Sequence, residues 1–252
     1  MCGRFSLIHT PEAVEAAFGL ATIEAFPPRY NIAPTQPIMV ITAAPLRGEG
    51  SNLPDRQAQL MRWGLLPAWV KEVKDFPLLI NARSETADTK PSFRNAMRHR
   101  RTIVPASGFY EWQRDKPSGQ SQAYWVRPKD GGIVGFAAVS ETYMSADGAE
   151  IDTVALLTAT SNAEFMPIHD RMPVVLQPAD FSRWLDCCSG EPRHVADLLV
   201  APPLGVFEAI AISDDVNKVV NTDSSIQTRV EPKKLGEKLR DKPATNPQGS
   251  LF

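Results

Sequence analysis

The second residue of the chain carries the most distinctive chemistry. Cys2 follows Met1 directly, and a small second residue allows removal of an initiator methionine. Removal would leave a 1,2-aminothiol, with an α-amine of pKa about 7.7–8.0 beside a thiol of pKa about 8.5, so both groups are partly deprotonated near neutral pH. An aldehyde can form an imine with this amine and then close onto the sulfur as a five-membered thiazolidine. Cys2 is therefore a candidate nucleophile for an aldehyde.

Three further polar residues lie in settings that could serve such chemistry. They are Asn81 in INARSET, Glu111 in GFYEW and His169 in PIHDRMP. The aromatic neighbours of Glu111 could leave its carboxyl facing solvent from a strand, or could exclude water and raise its pKa toward values useful for proton transfer. His169 could carry protons or be a structural histidine paired with Asp170, and Asn81 could be a turn residue. The residue types alone leave these alternatives open.

Length and composition indicate a globular protein with a sizeable core. The 252 residues are 43% hydrophobic, which fits one large domain or at most two small ones. The chain has 27 Lys and Arg against 29 Asp and Glu, so binding to a polyanion would need a local basic patch. We expect a cytoplasmic protein with no membrane contact, because the sequence has neither a leader pattern nor an apolar run of about 18 to 20 residues.

The pattern of apolar residues predicts more strands than helices. Short β-branched runs bounded by prolines predict strands at 38–42, 102–104, 133–139 and 154–160. Helical spacing predicts helices at 11–18, with Thr10 as N-cap, and at 92–100, 179–186 and 192–200. Strands and helices do not alternate regularly, so we predict an α+β fold with a mainly antiparallel, barrel-like β core and peripheral helices. We expect one domain over 2–230 and a disordered polar tail over 231–252.

Six segments, taken in order, strongly resemble the SOS-response-associated peptidase (SRAP) family. They are MCGRF at the terminus, YNIAP at 30–34, RWGLLPAW at 62–69, INARSET, GFYEW and PIHDRMP. The resemblance covers residues 2–230 and implies a single α+β domain that senses abasic sites in single-stranded DNA and cross-links to them covalently. It makes Cys2 the cross-linking residue, with Asn81, Glu111 and His169 completing the active site. The open form of an abasic deoxyribose supplies the aldehyde that the aminothiol requires.

The resemblance also implies a role for each active-site residue. Glu111 would shuttle protons as the sugar ring opens, and His169 would act as acid or base at the sugar oxygen or at the imine. Asn81 would orient the Cys2 amine or a sugar oxygen. The family name implies a peptidase that removes Met1 autoproteolytically, although a general methionine aminopeptidase is an alternative route. An imine at C1′ permits β-elimination, so weak abasic-site lyase activity is a further expectation.

Contacts with DNA are expected around the active site. Arginines within two residues of the proposed active-site positions could bind phosphates, and tryptophans could stack on bases beside the lesion. The predicted DNA-binding residues are Arg4, Asn31, Trp69, Arg83, Arg94, Trp112 and Arg171. Arg94 belongs to a candidate basic patch over 83–101, which holds six Lys or Arg. The alternatives are ordinary salt bridges for the arginines, a solvated helix end for 98–101 and core packing for the tryptophans.

The last five residues, QGSLF, resemble the short peptide by which bacterial proteins bind the replication sliding clamp. The pattern combines Gln248 with the apolar pair Leu251 and Phe252 at the end of a polar tail. Both a clamp contact and chance agreement are open. We expect a monomer that associates with the nucleoid when it is bound to DNA.

Two other function classes stay open. N-terminal-nucleophile glutamine amidohydrolases also begin Met-Cys-Gly, but the sequence contains neither their Gly-His-Thr-Arg-Trp type segment nor an Asn-Gly pair. A non-covalent single-stranded DNA-binding module would make Cys2 incidental. We expect no metal and no cofactor, because the four histidines lack ligand spacing, the three cysteines suggest neither a zinc site nor a disulfide framework, and no Walker-type glycine loop is present.

Overall fold

The computed structural model describes residues 2–45, 53–115 and 117–235, which form thirteen strands and three α-helices. The strands are β1 Phe5–Leu7, β2 Arg29–Ile32, β3 Pro37–Ala43, β4 Arg56–Trp63, β5 Asn81–Arg83, β6 Arg101–Ala106, β7 Gly108–Arg114, β8 Ser121–Pro128, β9 Val134–Met144, β10 Glu150–Thr160, β11 Arg171–Pro173, β12 Val175–Leu176 and β13 Phe207–Ile212. The helices are α1 Pro11–Phe18, α2 Arg94–His99 and α3 Phe181–Leu185. Within these ranges, no helix has both the length and the apolar character that a membrane crossing requires.

Five strands close into a barrel in the order β10, β4, β3, β6 and β9, and β9 pairs again with β10. The β4–β10 pair is parallel, whereas the other four pairs are antiparallel. Closure leaves none of these five strands as a free edge. Every residue of β6 is buried, including the polar residues Arg101 and Thr102, so the strand shows no alternation between buried and exposed positions. The predicted α+β fold with a barrel-like, mainly antiparallel core is confirmed.

A second sheet, in the order β13, β8, β7, β1 and β2, packs against the barrel. The contact is aromatic: the Phe5 ring in β1 lies edge-on to Trp63 at 5.2 Å and to Phe136 at 6.3 Å, and Phe109 in β7 meets Phe136 at 6.1 Å. Each such pair contributes roughly 0.5–1.5 kcal/mol beyond the apolar area that it buries. These contacts place the start of the chain between the two β layers.

The predicted helices differ in how well they match the structure. α1 spans the predicted residues, and the Thr10 hydroxyl accepts a hydrogen bond from the Ala13 amide at 3.3 Å. α2 lies inside the predicted 92–100 range. The predicted helix at 179–186 consists of a short 3₁₀ turn followed by α3. The prediction of an α-helix at 192–200 is wrong, because Pro192–Leu198 is a 3₁₀ helix in which Val195 alone is buried, so no apolar stripe holds an α-helix against the core.

Arg101 has a structural role that removes it from the candidate basic patch. The residue is 2% exposed, and its guanidinium donates hydrogen bonds to the carbonyls of Met97 at 3.0 Å, Trp184 at 2.7 Å and Gly190 at 2.9 Å. It also donates to the Asp186 carbonyl. One buried cation therefore joins the end of α2 to α3 and the turn that follows α3.

We predict that Arg101→Lys lowers the free energy of unfolding by about 2–3 kcal/mol, because one ammonium cannot reach carbonyls that the planar guanidinium reaches together. Denaturant unfolding measures the change. The matched control is Arg98→Lys, since Arg98 is exposed in the last turn of α2, and it should change stability by less than about 0.5 kcal/mol. Equal effects of the two variants would contradict the structural role of Arg101.

Candidate active site

Four elements from distant parts of the chain bring the predicted active-site residues together. Cys2 lies just before β1, and Glu111 lies in β7, the antiparallel neighbour of β1. Asn81 begins β5, which pairs in parallel with β10. His169 lies near the end of the connection from β10 to β11. The site therefore forms at the junction of the second sheet with strands attached to the barrel.

Cys2 is completely buried, and its Sγ lies 3.7 Å from the Arg4 carbonyl oxygen. Burial raises the pKa of the Cys2 thiol well above its usual range, and the nearby charge of Glu111 raises the pKa further. The thiol is therefore neutral near pH 7. This environment favours the amine of an N-terminal cysteine, rather than the thiolate, as the group that reacts first.

Asn81 fixes the backbone of Cys2. Its Nδ2 donates a hydrogen bond to the Cys2 carbonyl oxygen at 2.7 Å. Its Oδ1 is buried and has no hydrogen-bond partner among the residues that the structure describes. Because a buried acceptor without a partner is costly, this oxygen is suited to accept a hydrogen bond from an amine or a hydroxyl. The alternative of a turn residue is wrong, since Asn81 pairs with Leu156 in a sheet.

Glu111 is 4% exposed and lines a cavity with Phe109, Phe165 and Met172, whereas its chain neighbours Tyr110 and Trp112 pack in a separate apolar cluster on the other face of the strand. The solvent-facing alternative is wrong. Burial raises the pKa of the Glu111 carboxyl, while His169 opposes this increase. A carboxyl with a raised pKa holds its proton more strongly than an exposed one, which suits general acid–base chemistry.

His169 is held at the edge of the site by its own loop. Its amide donates to the Phe165 carbonyl at 3.0 Å, and its Nδ1 accepts a hydrogen bond from the Arg171 amide at 2.9 Å. The same Nδ1 lies 3.0 Å from Asp170 Oδ1, which places Asp170 beside the ring, as the alternative of a local pair requires. With Nδ1 as an acceptor, the proton of the neutral ring is on Nε2.

A small cavity of about 10 Å³ connects the surroundings of Glu111 and His169. Its lining is mostly apolar: Phe109, Glu111, Val126, Ser161, Phe165, Ile168, His169, Arg171 and Met172. Ser161 also lines this cavity; it follows the end of β10, and its buried hydroxyl has no partner within the described ranges. No periodicity or motif marks Ser161, so only the fold identifies it as part of the site.

Three of the predicted DNA-binding residues are exposed. Arg83 and Arg94 face solvent, and Trp69 is 57% exposed with its ring edge-on to Phe76 at 5.6 Å. Core packing is therefore wrong for Trp69. Trp112 is half-buried, and its Nε1 donates to Asn217 Oδ1 at 2.8 Å. These residues stay predicted DNA contacts.

Arg4 and Asn31 form an internal network instead of projecting freely into solvent. Arg4 Nη1 donates to Asn31 Oδ1 at 2.7 Å and to the Val216 carbonyl at 2.8 Å. Asn31 is 4% exposed, and its Nδ2 donates to the carbonyls of Val216, Lys218 and Asn221 at 3.3, 3.1 and 2.8 Å. Asn31 thus holds the segment 216–221 in place. A direct contact of Asn31 with DNA stays a prediction and would require these bonds to open.

Arg171 is also buried in an ion pair. Its guanidinium binds both carboxylate oxygens of Glu85, at 2.5 and 2.9 Å, and donates to the Thr158 carbonyl. The salt-bridge alternative therefore describes Arg171 in this structure, and its contact with DNA stays a prediction. The pair ties β11 and the loop that carries His169 to the residues that follow β5.

An open cleft of about 550 Å³ lies along the β7–β8 hairpin. It is lined by Arg4, Trp112, Arg114, Asp115, Gly119, Gln120, Ser121 and Asn217. Arg114 was missed in the sequence analysis, although strand periodicity places it on the same face of β7 as Trp112. Among the described residues, no group of three or more His, Cys, Asp and Glu is arranged to hold a metal ion.

Comparison with known proteins supports one family. The profile of the family described as SOS response associated peptidase (SRAP) matches residues 1–219. The abasic site processing protein YoqW of Bacillus subtilis is 33% identical over 229 residues, which cover 90% of this chain and 98% of that protein. The abasic site processing protein YedK of Escherichia coli is 32% identical over 192 residues, covering 73% and 79% of the two chains. A solved protein from Bacteroides thetaiotaomicron superimposes with a TM-score of 0.78 at 25% identity, covering 91% of this chain and all of the other.

We predict that Glu111→Gln stabilises the folded protein at pH 8 by about 1–2 kcal/mol, because it removes a buried carboxylate. The pKa of Glu111 is raised in the folded state. Above about pH 4.3 the unfolded chain loses this proton while the folded protein still holds it. The stability of the wild type therefore falls as pH rises from the unfolded-state pKa to the raised folded-state pKa. The advantage of the variant should therefore disappear near pH 4. Denaturant unfolding at both pH values measures it.

The matched control for this prediction is Glu150→Gln. Glu150 is exposed at the start of β10, so its substitution should change stability little at either pH. A Glu111→Gln variant that is less stable than wild type at pH 8, or whose advantage does not vary with pH, would show that the carboxylate is compensated within the site.

Proposed function

Because this chain belongs to the SOS response associated peptidase family, we propose that it processes abasic sites in single-stranded DNA by forming a thiazolidine cross-link through Cys2. The observation that carries this proposal is the meeting of Cys2, Asn81 and Glu111, with His169 beside them, in one site. The names of the relatives YoqW and YedK support the substrate class. The reaction requires Cys2 to be the first residue, so removal of Met1 is part of the proposal.

The α-amine of Cys2 begins the reaction. It attacks C1′ of the open-chain abasic sugar to give a carbinolamine, which loses its hydroxyl as water and becomes an imine. Glu111, whose pKa is raised by burial, exchanges the protons that ring opening and water loss require, and His169 assists at the sugar oxygen. Asn81 Oδ1 accepts a hydrogen bond from the amine and so orients its lone pair. A buried neutral thiol does not compete at this stage.

The thiol of Cys2 completes the cross-link. Its sulfur adds to C1′ of the protonated imine, the C–S bond closes the five-membered ring, and the thiol proton leaves to the Glu111 carboxylate. The raised pKa of the thiol means that this proton is transferred only when the electrophilic imine is in place. The net reaction joins the protein and the DNA with loss of one water molecule.

The cleft along the β7–β8 hairpin provides a path for the DNA strand beside the lesion. Arg4 and Arg114 supply positive charge in the cleft, and Trp112 supplies a face for a base. Phosphate contacts make the first, non-covalent binding sensitive to salt. The covalent adduct resists salt once it has formed.

The proposal extends to removal of Met1 by the protein itself and to weak abasic-site lyase activity, and each has its own assay. Autoproteolytic removal of Met1 is separated from aminopeptidase action by synthesis without aminopeptidase, which would leave Met1 in place if the chain lacks the activity. Weak lyase activity would appear as cleaved DNA, because β-elimination from the imine competes with ring closure. We further propose a cytoplasmic monomer that associates with the nucleoid, which light scattering and fluorescence microscopy test.

We predict that the protein lacking Met1 forms a denaturation-resistant adduct with an oligonucleotide carrying one abasic site, at the mass of protein plus DNA minus water. Cys2→Ala retains the amine but cannot close the ring, so its adduct should survive only after reduction with borohydride. Asn81→Ala should slow adduct formation by about tenfold or more, because the amine loses its orientation. Denaturing gels and intact mass measure these outcomes.

The matched control is Cys187→Ala, which removes a thiol far from the site in the sequence and should leave adduct formation unchanged. An oligonucleotide with intact bases should give no adduct. If the wild-type protein with a verified free Cys2 forms no adduct, the proposed function is wrong, and glutamine hydrolysis becomes the activity to assay. Salt-sensitive binding without an adduct would instead favour a non-covalent DNA-binding module.

We also propose that the terminal segment with Gln248, Leu251 and Phe252 binds the replication sliding clamp. These residues lie outside the described ranges, so the support is the sequence pattern alone: a polar tail that ends in an apolar pair can dock in a hydrophobic groove. A clamp contact would bring the cross-linking domain to replicating DNA, where single-stranded abasic sites are exposed.

We predict that a truncation before Gln248 loses retention on an immobilised bacterial sliding clamp, whereas the full-length chain is retained. Leu251→Ala should behave like the truncation because it removes half of the apolar anchor. A tail variant with Lys238→Ala keeps the apolar pair and serves as the control. Equal retention of the full-length and truncated proteins would dismiss the clamp contact while leaving the proposed chemistry intact.

A further inference from the structure

One ring nitrogen in the site faces two partners with opposite requirements. Nδ1 of His169 lies 2.9 Å from the Arg171 amide nitrogen, which can only donate a hydrogen bond, and 3.0 Å from Asp170 Oδ1, which accepts one when it is ionised. A nitrogen with a lone pair satisfies the amide, whereas a protonated nitrogen satisfies the carboxylate. The two hydrogen bonds therefore require different protonation states of Nδ1.

The backbone holds both partners in place. The Asp170 carbonyl accepts from the Ser161 amide at 2.9 Å, at the end of β10. Arg171 is anchored on its other side by Glu85 and the Thr158 carbonyl. The Asp170 side chain is 78% exposed, so it can turn toward or away from the ring without disturbing the core. The loop backbone is therefore tied by hydrogen bonds on both sides of His169, while the exposed carboxylate can respond to the charge on the ring.

We propose that Asp170 is a positioning residue for acid catalysis by His169. When Nδ1 gains a proton, its hydrogen-bond partner changes from the Arg171 amide to the Asp170 carboxylate, and loss of the proton reverses this change. This inference rests on the proposed function. In the neutral ring, Asp170 faces a lone pair and is repelled. In the imidazolium, the carboxylate forms a charge-assisted hydrogen bond that stabilises the acid.

The charged groups near the His169 ring differ in how they can affect its protonation. Glu111 approaches from β7 and interacts electrostatically with His169. Arg171 follows on β11, with its charge neutralised by Glu85. Glu111 is buried and takes protons during the same reaction, whereas Asp170 is exposed and takes no part in bond making. Asp170 can therefore stabilise the imidazolium at each step that needs an acid, including loss of water from the carbinolamine.

The test is the pH dependence of adduct formation by full-length protein lacking Met1, under single-turnover conditions on an abasic oligonucleotide. Asp170→Asn should shift the limb on which the rate falls with rising pH toward lower pH. On that limb the rate should be about twofold to fivefold lower than wild type, the effect typical of one exposed ion pair. At the acidic end the two rates should converge. Asp170→Glu, which keeps the charge, should restore the wild-type profile, and Asp88→Asn, at an exposed site, should not alter it.

Nitrogen-15 NMR of the His169 ring gives a second readout that does not depend on DNA. In wild type, Nδ1 should change from acceptor to donor as pH falls, and in Asp170→Asn this change should occur at lower pH. The proposal would be overturned if the pH profiles of wild type and Asp170→Asn superimpose, or if the variant loses the same fraction of its rate at every pH. It would also be overturned if Asp170→Glu fails to restore the profile, or if the NMR titration of Asp170→Asn is the same as that of wild type. Absence of any adduct would instead refute the proposed function. In that case the NMR titration would still show whether the hydrogen-bond partner of Nδ1 changes with protonation.

Discussion

The burial of the first strand between two β layers is the constraint on which the rest of the site depends. β1 has only three residues, all buried, and Phe5 is locked against Trp63 and Phe136 of the barrel. An amino terminus is normally among the most mobile parts of a chain. Here the aromatic contacts hold the residues that precede β1, so Cys2 is presented in a fixed position. The proposed cross-linking reaction depends on this restraint, because it requires the Cys2 amine to be held in one orientation.

Exclusion of water gives the site its electrostatic character. Glu111 and the Cys2 thiol lie in the same buried region, and burial disfavours the charged form of each, so the pKa of both groups is raised. The two groups reinforce this effect because a charge on Glu111 disfavours a second negative charge on the sulfur. The protonated forms of both groups are therefore favoured in the folded protein. His169, which is partly exposed, connects this region with solvent.

The arginines near the site illustrate how one residue type serves different purposes. Arg101 stabilises carbonyls at the ends of two helices, and Arg171 forms a bidentate pair with Glu85. Arg4 organises the segment 216–221 together with Asn31 while also lining the cleft. Arg83 and Arg94 remain exposed. Positive charge in the sequence therefore overstates the charge available to DNA, because buried guanidinium groups are occupied by carbonyl and carboxylate oxygens.

By itself, the sequence determined the α+β class, the strongest strands, the extent of α1 and the identity of the residues that could do chemistry, since periodicity, capping and side-chain type are local properties. Only the tertiary structure decided that Glu111 is buried, that Arg171 is paired, and that Ser161 and Arg114 belong to the site and its cleft. These properties depend on which distant strands become neighbours. The proton exchange inferred for His169 has the same origin, because the folded loop places a donor and an acceptor at one nitrogen.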